Sequence, residues 1–283
     1  MLKQFLDKEV AILVVAGIPP RAPFLRALLQ KLDYQRLYAA DGGANILKEV
    51  DVLPDVIVGD LDSISGDSKA YYRDKGVRLE TFPREKDFSD TELALEYLLK
   101  EGQKEVIVLG ALGGRADHHL ANTFLLPAFG RRGMNLHLLD EFNLISYIKK
   151  GEYLIPQVED AYLSFFALGD AGLSLSLEGV KYPLSKKQLP FGSSLCLSNR
   201  FTEECAKIEV FESTKDKASA KKYFTENLKK AVEWASSYNV TLSIEIMDHP
   251  FINSITKYME YANIIKSPWL KVYPDVGNLT AWP

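Results

Sequence analysis

The sequence predicts an α/β domain on a parallel sheet, then an antiparallel β domain, then a return to alternating strands and helices. Three observations carry this. Short β-branched runs alternate with helical spacing from Glu9 to about Asn143. Period-two alternation takes over from Leu144 to about Glu212, and from Ser213 the helical period returns.

Taken in order, Val10–Val15, Arg36–Ala39, Asp55–Val58 and Glu105–Leu109 read as strands. VAILVV, DVIV and EVIVL are near-continuous apolar runs, as expected of strands buried on both faces. Pro23–Leu32 and Asp90–Glu101 carry apolar residues at helical spacing, and Ser89 with Glu92 three residues later forms a capping box that starts the second helix. Such strands and helices imply right-handed crossovers, with ligands at the carboxyl ends of the strands. Tyr162–Phe166 and Leu173–Val180 alternate between Gly- and Pro-containing turns, which predicts an antiparallel sandwich beginning near Lys149–Gly151. Residues 213–239 read as a long amphipathic helix with Tyr223, Leu228, Ala231 and Trp234 on one face. Val240–Met247 is then a strand, Pro250–Tyr261 a helix and Leu270–Tyr273 a strand. The expected divisions are 1–149, 150–212 and 213–283.

Composition narrows the function. Of 283 residues, 47% are hydrophobic and 25% charged, the balance of a globular protein. With 34 Lys+Arg against 38 Asp+Glu the net charge is −4, which argues against nucleic-acid binding through a broad basic face. The longest stretch free of Asp, Glu, Lys and Arg, His118–Gly130, falls short of the roughly 20 apolar residues a membrane span needs. MLKQFLDKEV places charges where a signal peptide needs its apolar core. Two cysteines, Cys196 and Cys205, do not make a disulfide scaffold, so a cytoplasmic setting is expected.

The chemistry-bearing residues fall at predicted strand ends. Asp41-Gly42-Gly43 follows the strand Arg36–Ala39; paired glycines admit backbone N–H groups to a phosphate, although a plain tight turn has the same spelling. Asp60 and Asp62, spaced i, i+2, can converge on one hard cation such as Mg²⁺ if the strand has already broken into a turn; an Asx-turn is the structural alternative. In Glu85–Glu92 the cap explains Ser89 and Glu92, leaving Lys86, Asp87 and Asp90 as functional candidates. Gly110–Asn122 (GALGGRADHHLAN) supplies a glycine loop and, in Arg115, a guanidinium suited to bidentate phosphate binding, without the GxxxxGK[ST] pattern. Together these segments suit transfer of a phosphoryl-type group from a Mg-nucleotide.

ADGGAN, GDLDSI, EKDFSDTELAL and GALGGRADHHLAN, in this order, resemble the thiamine pyrophosphokinase family, and the resemblance continues through Gly179–Leu184 and Ser198-Asn199 to about residue 210. It implies a Rossmann-like α/β domain followed by a β-sandwich, a homodimer, and transfer of pyrophosphate from ATP to the hydroxyl of thiamine, giving thiamine diphosphate and AMP. It further implies that Asp60, Asp62 and Asp90 hold Mg²⁺, that Asp41 lies near the same phosphates and that Asp87 faces thiamine or its hydroxyl. Gly113, Gly114, Arg115, Asp117, His118 and Asn122 would hold ATP. Tyr182 would cover thiamine from the partner subunit, and Ser198 and Asn199 would contact it. A cationic thiazolium favours an aromatic face, though a core tyrosine is the simpler use of Tyr182. Whether Asp87 or Asp90 accepts the hydroxyl proton stays open.

The closing strand expected of that family's β domain is missing after IEVFES. Instead Val240–Asp248, Pro250–Ser254 and Tyr273–Asn278 resemble an interior piece of an L-ribulose-5-phosphate 3-epimerase, a xylose-isomerase-like (β/α)₈ barrel. The resemblance makes Glu245 and Asp275 two of four metal ligands, the others lying on strands this chain lacks. The chain thus reads as a fusion joined near Val210–Lys215, with a catalytically silent tail whose strand Val240–Met247 needs an edge to pair with, on the sandwich or on another chain. A folded but non-catalytic module and a sugar-phosphate epimerase are the competing readings.

Overall fold

The computed structural model describes residues 5, 8–82, 88–168, 172–211, 217–246 and 252–273. The elements run β1 (Val10–Val14), α1 (Ala22–Lys31), β2 (Tyr34–Ala40), α2 (Gly43–Glu49), β3 (Val56–Gly59), α3 (Gly66–Asp74), β4 (Arg78–Thr81), α4 (Asp90–Lys100), β5 (Glu105–Leu109), α5 (Ala116–Arg131), β6 (Asn135–Leu139) and β7 (Leu144–Ser146). These strands form a seven-stranded sheet in the order β4-β3-β2-β1-β5-β6-β7, parallel except for β7. The chain winds outward from β1 in one direction and, from β5, in the other, so the winding reverses between β1 and β5. Crevices at such reversals are where open α/β sheets take ligands.

Alternation along β1 shows why the apolar runs were needed. Val10, Ile12 and Val14 feed a core shared with α1, α2 and α3, while Ala11 and Leu13 feed one shared with α4 and α5. All five are fully buried. Ser89 caps α4 where expected: its Oγ accepts from Glu92 N at 3.2 Å.

After β8 (Gly151–Pro156), β9 (Tyr162–Leu163), β10 (Leu173–Glu178), β11 (Leu184–Leu189), β12 (Asn199–Arg200) and β13 (Cys205–Phe211), two sheets follow, one of order β11-β10-β13-β8 and one antiparallel pair, β12-β9. The third stretch contains α6 (Lys217–Ser237), β14 (Leu242–Glu245), α7 (Ile255–Ile265) and β15 (Leu270–Tyr273). It departs from expectation three times. The buried face of α6 is Leu228 and Val232, with Phe224 packed against them, whereas Tyr223 and Trp234 are 66% and 71% exposed. And β14 finds its partner inside the tail, pairing in parallel with β15 through the α7 crossover. α7 also starts later than the periodicity suggests, because Ser254 caps it by accepting from Lys257 N. By contact the chain divides into one unit of 1–163, 177–183 and 198–209 and another of 164–176, 184–197 and 210–283.

Glu105, at the opening of β5, ties the amino-terminal segment to the sheet. It receives Lys8 Nζ at 2.6 Å, His137 Nε2 at 2.8 Å and Asn135 Nδ2 at 3.0 Å. Burial pushes this carboxyl up, yet the hydrogen bonds from His137, Lys8 and Asn135 overcome it and hold it at about 2. A depressed carboxyl stabilises the fold above its unfolded value and surrenders that stability as pH falls toward the folded one. Set against the ordinary 4.5, the shift is worth at most about 3 kcal/mol. Glu105→Gln is expected to unfold at lower urea than wild type at pH 7 and to lose less stability on acidification. Urea midpoints measured from pH 7 down to pH 3 check this, and parallel curves for the two proteins would refute it.

Candidate active site

Two turns at the carboxyl end of the sheet bring three carboxylates together. Asp41 follows β2 and is 2% exposed; Asp60 and Asp62 follow β3, the strand paired with β2. One oxygen from each of Asp41, Asp60 and Asp62 lies within 4.8 Å of the others. Both turns place a non-glycine residue in the left-handed region, Asp41 at φ 42° and Leu61 at φ 63°, a conformation that persists only where surroundings impose it. The Asx-turn expected as an alternative is present, with Asp62 N donating to Asp60 Oδ1 at 3.0 Å, and it coexists with the convergence.

Burial pushes the Asp41 carboxyl above its ordinary value; hydrogen bonding from Ser63 works against this, and the charges of Asp90, Asp60 and Asp62 add to it. Asp41 Oδ1 is buried with no hydrogen-bond partner among the described residues. An orphaned carboxylate oxygen beside two further carboxylates is a hard-oxygen donor set that fits a divalent cation such as Mg²⁺. Asp90, first residue of α4, stands outside the three-carboxylate cluster, though its charge reaches Asp41. Lys86 and Asp87 lie outside the described residues.

Gly43 has a packing reason that sequence reading did not supply. A Cβ there would sit 2.1 Å from the Val14 carbonyl oxygen, so glycine lets α2 approach β1. Asn45, which was not singled out, ties α2 to the acidic turn through Nδ2 to Ser63 O at 3.0 Å. Its signal was its place in ADGGAN.

The glycine loop after β5 flanks the point where the winding reverses. Gly113 adopts φ +76°, and a Cβ there would meet Ile18 Cδ1 at 2.9 Å. Gly114 is likewise left-handed. His119, not among the predicted site residues, accepts from Gly113 N on Nδ1 at 3.0 Å, and buried Asn122 donates to Ala111 O at 2.9 Å. Both shape the loop. The Arg115 fork is engaged by Asp117, at 3.1 Å from Nε and 2.6 Å from Nη2, which holds that carboxyl below its ordinary value. His118 N also donates to Asp117 Oδ1. The third group is Tyr182, Ser198 and Asn199: the Tyr182 ring is 59% exposed, Ser198 has φ 56°, and Asn199 is buried against the backbone of Tyr182.

Carboxylates and a glycine loop at the carboxyl ends of a doubly wound parallel sheet define the class, an α/β enzyme with its site at the strand ends. The family described as "Thiamin pyrophosphokinase, catalytic domain" matches residues 27–138, and "Thiamin pyrophosphokinase, vitamin B1 binding domain" matches 149–214. A thiamine pyrophosphokinase of Bacillus subtilis is 34% identical over 160 residues, covering 56% of this chain and 75% of that protein. The crystal structure of thiamine pyrophosphokinase from Bacillus subtilis superposes with a TM-score of 0.65 at 26% identity, over 72% of this chain and 95% of that one. The chain belongs to the thiamine pyrophosphokinase family. Residues 204–283 match a different family, "Xylose isomerase-like TIM barrel". There an L-ribulose-5-phosphate 3-epimerase of Shigella boydii is 50% identical over 62 residues, and this chain spans only 22% of its length. No helix among the described residues is long and apolar enough to cross a membrane.

Replacing Asp41 by Asn removes one of three crowded charges. Without divalent cations the thermal midpoint of Asp41→Asn is expected to exceed that of wild type by roughly 2–4 °C. Mg²⁺ should raise the midpoint of wild type but not of the variant. A variant that gains as much from Mg²⁺ as wild type would remove Asp41 from the cation site.

Proposed function

We propose that the chain transfers the terminal pyrophosphate of ATP to the hydroxyl of thiamine, releasing AMP. The observation that carries this is the convergence of Asp41, Asp60 and Asp62 beside a glycine loop in a member of this family. The thiamine oxygen attacks the β-phosphorus, the bond from that phosphorus to the oxygen it shares with the α-phosphorus breaks with its electron pair leaving on AMP, and the hydroxyl proton ends in solvent. Asp60, Asp62 and Asp90, with Asp41, would hold Mg²⁺, which when bound neutralises phosphate charge and orients the chain of phosphates.

The chain's own residues supply position and charge. Gly113 and Gly114 allow close backbone approach, Arg115 exchanges Asp117 for phosphate, and Asp117, His118 and Asn122 keep the loop in shape for ATP. Lys86 is assigned to ATP as the cation of the segment that enters α4, and Asp87 to the thiamine hydroxyl on the resemblance. Tyr182 covers the thiazolium, with Ser198 and Asn199 nearby. The homodimer is carried over from the family resemblance. The free thiols Cys196 and Cys205 support a cytoplasmic setting. Divisions at 149 and 212 give catalytic, thiamine-binding and fused tail parts, the tail playing no part in the chemistry.

The full chain, given ATP, Mg²⁺ and thiamine, is expected to form AMP and thiamine diphosphate in equal amounts. Asp60→Asn and Asp62→Asn should lower turnover at least about 100-fold with the fold intact. Tyr182→Ala should raise the thiamine KM well above its effect on the ATP KM. Glu245→Gln with Asp275→Asn should leave turnover unchanged. Thiamine-independent AMP release, or loss of turnover in the tail variant with its fold intact, would overturn this reading.

A further inference from the structure

Asn199 opens β12 and is 3% exposed. Its carboxamide is occupied inside the chain. Oδ1 accepts from Tyr182 N and from Arg200 N, each at 3.0 Å, and Nδ2 donates to Tyr182 O at 2.9 Å. The side chain thus meets both peptide groups of Tyr182 as a neighbouring strand would. Three further links hold the same turn: Lys181 N to Arg200 O at 2.9 Å, Thr202 N to Gly179 O at 3.0 Å, and a bridge between Val180 and Phe201. The tip of the turn is the opposite case, a tyrosine ring 59% exposed with the Lys181 ammonium 5.4 Å from its centroid. A fixed backbone under an exposed ring lowers the ordering cost of binding, which is how a binding group is made ready in advance.

We propose that Asn199 is a positioning residue: it orients Tyr182 by clamping that residue's backbone and does not itself contact thiamine. The inference rests on the reading above that Tyr182 covers thiamine. An amide side chain offers two acceptor positions and two donor hydrogens, and three of these four are committed to Tyr182 and Arg200. A contact to thiamine through Oδ1 would break the clamp.

A double-mutant cycle on the full chain separates positioning from contact. Thiamine and ATP KM values are measured for wild type, Asn199→Ala, Tyr182→Ala and the double variant, together with thermal midpoints. Asn199→Ala is expected to raise the thiamine KM about tenfold, the scale of a lost hydrogen bond to a buried group, with the ATP KM nearly unchanged. Once the ring is gone, adding Asn199→Ala should change the thiamine KM by less than about twofold. Asn199→Ser, which keeps a small neutral polar group at the position, takes the place of Asn199→Ala in the cycle if the alanine variant fails to fold. Effects that multiply would show that Asn199 acts without Tyr182 and would overturn the inference, as would equal losses for ATP and thiamine. A wild-type chain that neither binds thiamine nor forms thiamine-dependent AMP would instead overturn the underlying reading and this inference with it.

Discussion

Three carboxylate oxygens within 4.8 Å of one another repel when charged. The local Asx-turn shapes the turn after β3, but the turns also put Asp41 and Leu61 into left-handed backbone. The arrangement is imposed by β2 and β3. Tyr38, Ala39 and Ala40 stand in register with Val56, Ile57 and Val58, all six buried between helical layers. The apolar core therefore does more than hold the fold together, because its rigidity keeps like charges close. A cation or a metal-bound phosphate placed among them recovers the repulsion, so the core's work is returned only when the site is filled.

The glycine loop is organised by a related compromise. Gly110 is packed so closely that a Cβ would lie 2.4 Å from the Val15 carbonyl oxygen, and Val15 N donates to Leu109 O at 2.9 Å. That fixes the loop root, while Gly113 and Gly114 remain open apart from Ile18. Arg115 is already paired with Asp117, both well exposed. Exposed pairs of this kind are weak, so a phosphate carrying more charge can replace the carboxylate at little cost. The loop is rigid where the sheet demands it and exchangeable where a ligand would arrive.

Much of this was legible in the sequence. The buried strands announced themselves as apolar runs, and Ser89 with Glu92 fixed the start of α4, because these signals depend on neighbours in the chain. The site was legible as a set of residue types at strand ends. The grouping of Asp41 with Asp60 and Asp62 followed from the family resemblance and not from spacing, since the three meet because β2 and β3 are adjacent, a fact of sheet order. The packing of Gly43 and the hydrogen bonds of Asn199 were hidden for the same reason: one meets the Val14 carbonyl and the other the backbone of Tyr182, both distant in sequence. On α6 the large aromatics Tyr223 and Trp234 drew the face wrongly. The narrow surface of a two-stranded sheet takes Phe224, Leu228 and Val232 and leaves the neighbouring stripe in solvent.

The tail shows how little of a barrel is needed to make a small core. Leu228 and Val232 from α6, Tyr258 and Tyr261 from α7, and Ile246, Ile252 and Leu270 pack together, with Leu242, Ile244 and Val272 against them. The Tyr258 hydroxyl donates to Leu270 O at 3.2 Å, and Phe224 meets Tyr261 edge to face at 4.9 Å. Alternation along β14 and β15 sends these apolar residues to the helices and leaves Ser243, Glu245, Lys271 and Tyr273 on the other face. In a closed barrel that face points inward and meets further strands. Here its polar character lets it stand in water, so the fragment keeps a core of its own. Glu245 ends β14 on that polar face, while Asp275 lies outside the described residues.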